Sequence, residues 1–506
     1  MESVVNGVSL VLGLVLLFLL ISKFIILPKK KLNLPPSPPA WPIIGHLHLL
    51  GKLPHRSLAQ LAQKCGPLMF LRLGSVPTVV VSSAAMAREF LKTYDQIFAS
   101  RPRTLAAKIL LYNCKDVAFA EMGPYWRDMK KICQLELLTP KQMEVHKHIR
   151  LEEAYCMVKS IRDKCEGGQP VDVHSHVFAL TRGVITRMVL NKTYFTSESK
   201  EALQFKEVLT ESFHLHGVPI LGDYIPYIGR WMDIQGYELR MKAAGKQMDA
   251  ILDKIIQEHQ DKQLRISKDQ TPLDFIDVLL SLRSKGDYGH LSMDSIKGVA
   301  LDMLAAGTET AAVTIEWALS EILLNPSVRK KCQQELDCVI GRERKVEEAD
   351  LSQLKYLQAI VNETFRLHPT APFMMPHEST QDVQVAGYDI PAKTRLLVNL
   401  RAIGTDPSTW ERPLEFCPER FLNTKIDVRG HDFELIPFGT GRRGCPGLLL
   451  GLTVVQLGLA VLLQSFEWQL SPSQELDMSE VFGLTVPKSV PLHAIATPRL
   501  PQHLYA

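Results

Sequence analysis

The sequence predicts a mainly α-helical chain with a minor β component, one large domain behind an N-terminal transmembrane helix. Three observations carry this. Residues 4–27 are almost wholly apolar. From about 84 to 370 the apolar spacing is helical, with strand-like stretches only at 68–81 and near 382–399. One proline-rich connector follows the apolar run, and no second one divides the remainder. The chain therefore reads as a membrane anchor with a basic stop over 1–31, a hinge over 32–46 and a single domain over 47–506.

The run VVNGVSLVLGLVLLFLLISKFIIL, residues 4–27, carries one charge, Lys23. About twenty apolar residues cross a bilayer core as a helix. A cleaved signal peptide would want a basic start and a small-residue cleavage site. Here the chain opens Met1-Glu2-Ser3, and the basic cluster Lys29-Lys30-Lys31 follows the run. Positive charge stays on the cytoplasmic side. The expectation is an uncleaved single-pass anchor in membrane lipid with the body in the cytosol. The sequons at Asn191 and Asn362 are then chance matches. Prolines at 35, 36, 38, 39 and 42 stiffen the connector. LMFLRLGSVPTVVV, residues 68–81, reads as two short strands about a Gly-Ser turn. VQVAGYDIPAKTRLLVN, residues 383–399, is a hairpin candidate, and residues 446–465 read as a long apolar helix.

Hydrophobic residues make up 46% of the chain and charged residues 22%, the balance of a globular protein. A net charge of +4 is small for 506 residues and gives no support for nucleic-acid binding. Nine cysteines, an odd number with no C-x-x-C spacing, argue against a disulfide framework or a structural zinc site.

Five stretches carry candidate chemistry. LDMLAAGTETAAVTIEWAL, residues 301–319, is apolar nearly all round and so should be buried. Its middle nevertheless holds Gly307, Thr308, Glu309 and Thr310. Such a break marks a ligand or a kink, or else an ordinary solvated turn. In ETFRLHP, residues 363–369, Glu363 and Arg366 stand at i and i+3, where they can pair, most simply on a surface. FCPERF adds Arg420 among aromatic neighbours. YWRDMKK, residues 125–131, sets Trp126 and Lys130 at i and i+4 beside Arg127 and Lys131, a pattern that also suits a plain basic helix face. FGTGRRGCPG, residues 438–447, differs in kind, since it sets one cysteine on a basic, glycine-rich loop. Arg443 precedes Cys445 by two residues, Gly444 and Gly447 allow close backbone approach, and the following helix offers its positive end. One thiolate alone makes no zinc site, but it can be the axial ligand of a haem.

With these residues together, the chain resembles the cytochrome P-450 family of haem-thiolate monooxygenases, with its fold. The family's cysteine loop is matched at Phe438, Gly441, Arg443, Cys445 and Gly447. Its oxygen-activating helix motif is matched by Ala306-Gly307-Thr308-Glu309-Thr310, its Glu-x-x-Arg motif by Glu363 and Arg366, and its third partner by Arg420. The resemblance spans essentially the whole chain, and details such as GPYWRDMKKIC and AGTET look like the plant microsomal group of specialised metabolism.

The resemblance implies haem b (iron protoporphyrin IX) held by Cys445 as proximal ligand. Glu309 and Thr310 would supply protons to dioxygen at the iron. Trp126, Lys130, His377 and Arg443 match positions that hold the haem propionates, while Phe438 and Gly447 belong to the cysteine loop. Lys130 often stands as Arg in the family, and lysine lacks the bidentate fork. Glu363, Arg366 and Arg420 would form a structural network behind the haem. Ala311 departs from the Thr or Ser common in relatives, and Glu309 stands where many carry Asp. No Rossmann Gly-x-Gly-x-x-Gly run followed by an acidic residue appears, and the resemblance implies that electrons come from a separate NADPH-cytochrome P-450 reductase in the endoplasmic reticulum membrane. Its docking face would be the basic surface around Arg127, Lys131 and Arg442.

Segments matching the family's pocket walls, near 103–120, 205–218, 301–310, 370–376 and 481–486, are mostly apolar. They suggest a hydrophobic small molecule, a terpenoid first and a flavonoid or other phenolic next. Two further readings are a haem-thiolate isomerase or dehydratase that needs no reductase, and a non-catalytic membrane scaffold.

Overall fold

The longest helix, Met293–Leu324, spans 32 residues and is the axis around which the rest packs. Ser292 caps it, accepting the Ser295 N–H at 3.2 Å. The computed structural model describes residues 32–165, 168–192, 200–226, 233–265, 274–286, 288–471 and 475–505, with Gly13 and Val15 alone from the N-terminal run. The membrane anchor expected over 1–31 lies outside the described residues.

Two helices press closely on this axis. Val173–Leu190 starts at Asp172, whose carboxylate accepts the Ser175 N–H at 3.0 Å, and ends at Asn191 with φ 49°. A Cβ added at Gly307 would stand 2.8 Å from Ile185 Cδ1. The glycine in the middle of the long helix is therefore a packing glycine against this neighbour. The helix runs through it unbroken from Met293 to Leu324. Leu448–Ser465 is the other neighbour, and a Cβ at Gly458 would stand 2.8 Å from Ile315 and 3.2 Å from Leu180. This helix has a mean hydropathy of 2.0 and could cross a membrane by length and composition. It is 67% buried inside the fold, so its apolarity is explained by the core.

The β content flanks the helices. Leu68–Leu73 and Val76–Val81 form the expected antiparallel pair about Gly74 and Ser75. Arg395–Val398 then joins Val76–Val81 in parallel, with Val81 opposite Val398, and His377–Glu378 completes the sheet. The hairpin expected over 383–399 is thereby shortened to Val383–Val385 paired with Tyr388–Ile390. The reason is burial. Leu396 and Val398 are fully inaccessible and share a cluster with Val79, Val81, Phe90 and Phe98. A third sheet joins Val171–Asp172, His493–Pro498 and Phe466–Gln469.

Residues 33–46 run along the outer sheet strand. The Phe70 N–H donates to the Pro36 carbonyl at 2.9 Å, and the His46 N–H to that of Arg72 at 2.8 Å.

Candidate active site

The cysteine loop is shaped by its backbone. The Cys445 N–H donates to the Phe438 carbonyl at 2.8 Å and closes the turn. Gly439 and Gly441 take left-handed φ of 68° and 64°, and a Cβ on Gly441 would stand 2.9 Å from the Leu91 carbonyl oxygen. Gly444 and Gly447, singled out from the sequence, have ordinary negative φ of −55° and −88°. Phe438 packs edge-on against Phe365, with ring centroids 5.2 Å apart.

The turn sends two adjacent arginines to opposite sides. Arg442 is exposed and pairs with Asp95 at 3.0 Å. Arg443 is buried, with its guanidinium carbon 4.1 Å from the Trp126 ring centroid. It donates to the carbonyls of Ala99 at 2.6 Å, Val117 at 3.2 Å and Ala120. Cys445 itself is solvent-accessible, yet protein surrounds the thiol closely enough that burial pushes its pKa up. Accessible and enclosed at once, the sulfur faces an internal space. The Gly447 N–H donates to it, and the cation that it feels is Lys130 rather than Arg443.

Further donors converge on the same region. Trp126 and Lys130 lie on Pro124–Ile132, with the ammonium 5.3 Å from the indole centroid and donating to the Arg442 carbonyl. His377 bonds the Phe98 carbonyl through Nδ1 at 2.8 Å. Arg101 donates to the carbonyls of Ala118 at 3.1 Å, Met375 at 2.7 Å and Pro376 at 2.9 Å. Arg101 was not visible as a site residue in the sequence, where nothing local distinguishes it from Arg103. It joins the cluster because the chain at Ala99–Ser100 bridges to Glu378, beside His377. Burial, then the charge of Arg443, hold Arg101 well below the usual guanidinium range. Burial, then Arg101, hold His377 well below the usual imidazole range, and burial brings Arg443 down to about 10.

On the long helix, Ala306 is exposed and Ala305, Gly307, Glu309 and Thr310 are partly accessible, between fully buried turns. This patch also borders an internal space. Thr310 Oγ1 donates to the Ala306 carbonyl at 2.6 Å. Glu309 Oε1 accepts from Thr485 Oγ1 at 2.6 Å, and burial raises its pKa. The acid and the alcohol are neighbours but are not bonded to each other. A surface cleft of about 600 Å³ lined by Tyr94, Met122 and Arg127 includes none of these residues.

Glu363, Arg366 and Arg420 come together elsewhere, the first two fully buried and Arg420 at the edge. Glu363 accepts from Arg366 at 2.7 and 2.8 Å, from Arg420 at 3.0 Å and from the Cys417 N–H at 2.7 Å.

Haem fits the first cluster. Arg101 and Arg443 are buried cations that form no ion pair with a carboxylate among the described residues. Trp126 Nε1 and His377 Nε2 are buried donor or acceptor atoms with no protein partner. Unpaired buried cations and orphaned ring nitrogens suit a ligand that brings carboxylates of its own. The accessible sulfur suits one that also brings a metal.

A basic anion-binding cluster beside an enclosed single thiol, on a helical fold with small sheets, defines a haem-thiolate type of protein. The sequence profile described as Cytochrome P450 matches residues 35–493. The chain belongs to the cytochrome P450 family. It is 46% identical to cytochrome P450 71A1 of Persea americana over 458 residues, 89% of this chain and 91% of that one. It is 43% identical to a flavonoid 3',5'-hydroxylase of Eustoma exaltatum subsp. russellianum, over 94% and 93% of the two chains. A zebra fish cytochrome P450 solved with progesterone superposes with a TM-score of 0.75 at 26% identity, covering 88% of this chain and 99% of that one. The protein is a haem-dependent cytochrome P450 monooxygenase of the plant group.

Proposed function

We propose that Cys445 is the proximal iron ligand of a membrane-anchored monooxygenase that hydroxylates a hydrophobic plant metabolite. The observation that carries this is the convergence of an accessible, enclosed sulfur with buried donors that the protein leaves unpaired. When bound, haem supplies the activation of dioxygen. Cys445, held by the Gly447 N–H and facing Lys130, supplies the thiolate. Arg101, Arg443, Lys130, Trp126 Nε1 and His377 Nε2 hold the propionates by charge-assisted and neutral hydrogen bonds. Glu309, its pKa raised by burial, keeps its proton to higher pH than a free carboxyl, and Thr485 orients it. Thr310 can exchange its bond to the Ala306 carbonyl for one to the reacting oxygen.

Residues 1–31 anchor the body in the endoplasmic reticulum membrane. Electrons arrive from NADPH through a flavoprotein reductase on the face carrying exposed Arg127 and Lys131. The substrate is a terpenoid or a flavonoid. The apolar wall segments support the first, and the names of relatives support the second.

The test is a reduced carbon monoxide spectrum on microsomes, where a red-shifted Soret band is expected and Cys445→Ser abolishes it. Folded, haem-loaded protein without that band sinks the thiolate assignment. Incubation with reductase, NADPH and a panel of terpenoids and flavonoids then decides the substrate class. Turnover without reductase would favour isomerase or dehydratase chemistry.

A further inference from the structure

Two carboxyls, Asp116 and Asp302, are buried behind the arginine cluster at 0% and 8% exposure. Asp302 lies on the long helix and accepts the N–H groups of Val117 at 2.6 Å and Ala118 at 3.0 Å. Asp116 accepts the Phe119 N–H at 2.8 Å through one oxygen. Its other oxygen has no donor from the protein, and Asp302 holds the N–H of the very next residue, which sets the two buried carboxyls side by side. Neither forms an ion pair with a lysine or arginine among the described residues. A Cβ on Gly298 would stand 2.2 Å from the Lys115 carbonyl oxygen and 3.5 Å from Asp116 Cα, so helix and loop are already in backbone contact. Ionised carboxylates only accept, so two set side by side need a proton between them.

The same loop faces the arginines with its carbonyls. Val117 and Ala120 receive Arg443, and Ala118 receives Arg101. We propose that Asp116 and Asp302 share one proton and act as a positioning pair that holds residues 116–120 under the two arginines of the haem site. This rests on the assignment of Arg101, Arg443 and Lys130 to the propionates. The charge then balances. Three cations less one shared negative charge leave two positive charges, the complement of two propionates; a doubly ionised pair would leave one.

The groups around the pair agree with a single proton. Arg101 and Arg443 attract Asp116 from beyond the loop. Tyr125 and Cys133, from Pro124–Ile132 and the turn after it, are pushed up by burial and stay neutral. Cys114 is likewise raised, and Lys115 is engaged by Asp294 at 2.8 Å. Burial, then the charge of Asp302, raise Asp116 well above the usual carboxyl range. Because both folded pKa values are raised, the pair is stable on the acid side and loses its proton as pH rises.

The test follows haem transfer from the loaded full-length protein to apomyoglobin across pH, with infrared detection of protonated carboxyl. Wild type should show a protonated carboxyl band at neutral pH that Glu309→Gln retains. On the alkaline side the band should fade while haem loss accelerates, by up to about tenfold per pH unit. Asp116→Asn replaces the shared proton with an amide N–H that cannot ionise. It should lack the band, retain haem at neutral pH and show no alkaline acceleration. Asp302→Asn should remove the band and lose haem faster at every pH. A missing band in wild type, or alkaline acceleration that persists in Asp116→Asn, overturns the proposal. Unchanged haem retention in Arg443→Ala, with the band still present, would overturn the propionate assignment instead.

Discussion

Two buried ionic networks in this molecule use the same residue type and end in opposite states. Around Glu363, one carboxylate serves Arg366 and Arg420, and the remaining Arg366 donors reach the carbonyls of Gly404, Pro413 and Glu415. Every strong group there has a partner within the fold. Around Arg443, the arginines find carbonyls but no carboxylate, and Trp126 Nε1 and His377 Nε2 find no partner. A buried arginine therefore does not by itself mark a ligand site. The bookkeeping of its partners does. A network closed by its own acid stabilises the fold, and one left cationic and under-bonded waits for an anion.

The comparison can be broken where the effect should be largest. Glu363→Ala strands two guanidiniums, one of them fully buried, and should cost about 3–5 kcal/mol. A thermal melt should show this as a large loss of midpoint or of folded yield. Arg443→Ala should act on the ligand instead. Losing a charge-assisted contact worth about 1.5–3 kcal/mol should speed haem dissociation by roughly tenfold to a hundredfold, measured by transfer to apomyoglobin. If Arg443→Ala lowers the melting midpoint as much as Glu363→Ala does, the distinction between the networks fails.

Glu309 stands between these extremes, buried with one hydroxyl partner. Thr485→Val removes the contact that opposes burial, so the Glu309 pKa should rise further. Protonated Glu309 then persists to higher pH, and the alkaline limb of the pH–rate profile should move upward. Thr485→Ser should restore it, and a profile unmoved by Thr485→Val would detach Thr485 from the acid. The smallest effect belongs to a contact without charge. Gly307→Ala meets Ile185 at Cδ1 and Cγ1, each 2.8 Å away, so that side chain must shift. Overpacking of about 1 kcal/mol is offset by a similar gain in helix propensity, so the melting midpoint should hardly change, and adding Ile185→Val should raise it.

Much of the fold was legible because periodicity is local. The strands at 68–81 and the helix after Cys445 appear where their apolar patterns placed them. The strand Arg395–Val398 was misplaced because its pattern states that it is half buried but not against which neighbour. Within the site, the motif residues stand out by type and spacing. Arg101 does not, since a strand bridge far along the chain recruits it. The contact of Gly307 with Ile185 was not legible, because that partner lies on another helix.

The sequence by itself determined the family, the lone cysteine on its basic loop and the acid beside a threonine, all of which are carried by residues close in the chain. Tertiary structure decided which buried charges are paired and which are open. It turned Arg442 outward and Arg443 inward on one short turn, and set Asp116 beside Asp302 from far along the chain. Partnership between charges depends on distances across the fold, where burial makes each unmatched group costly, and no local pattern encodes it.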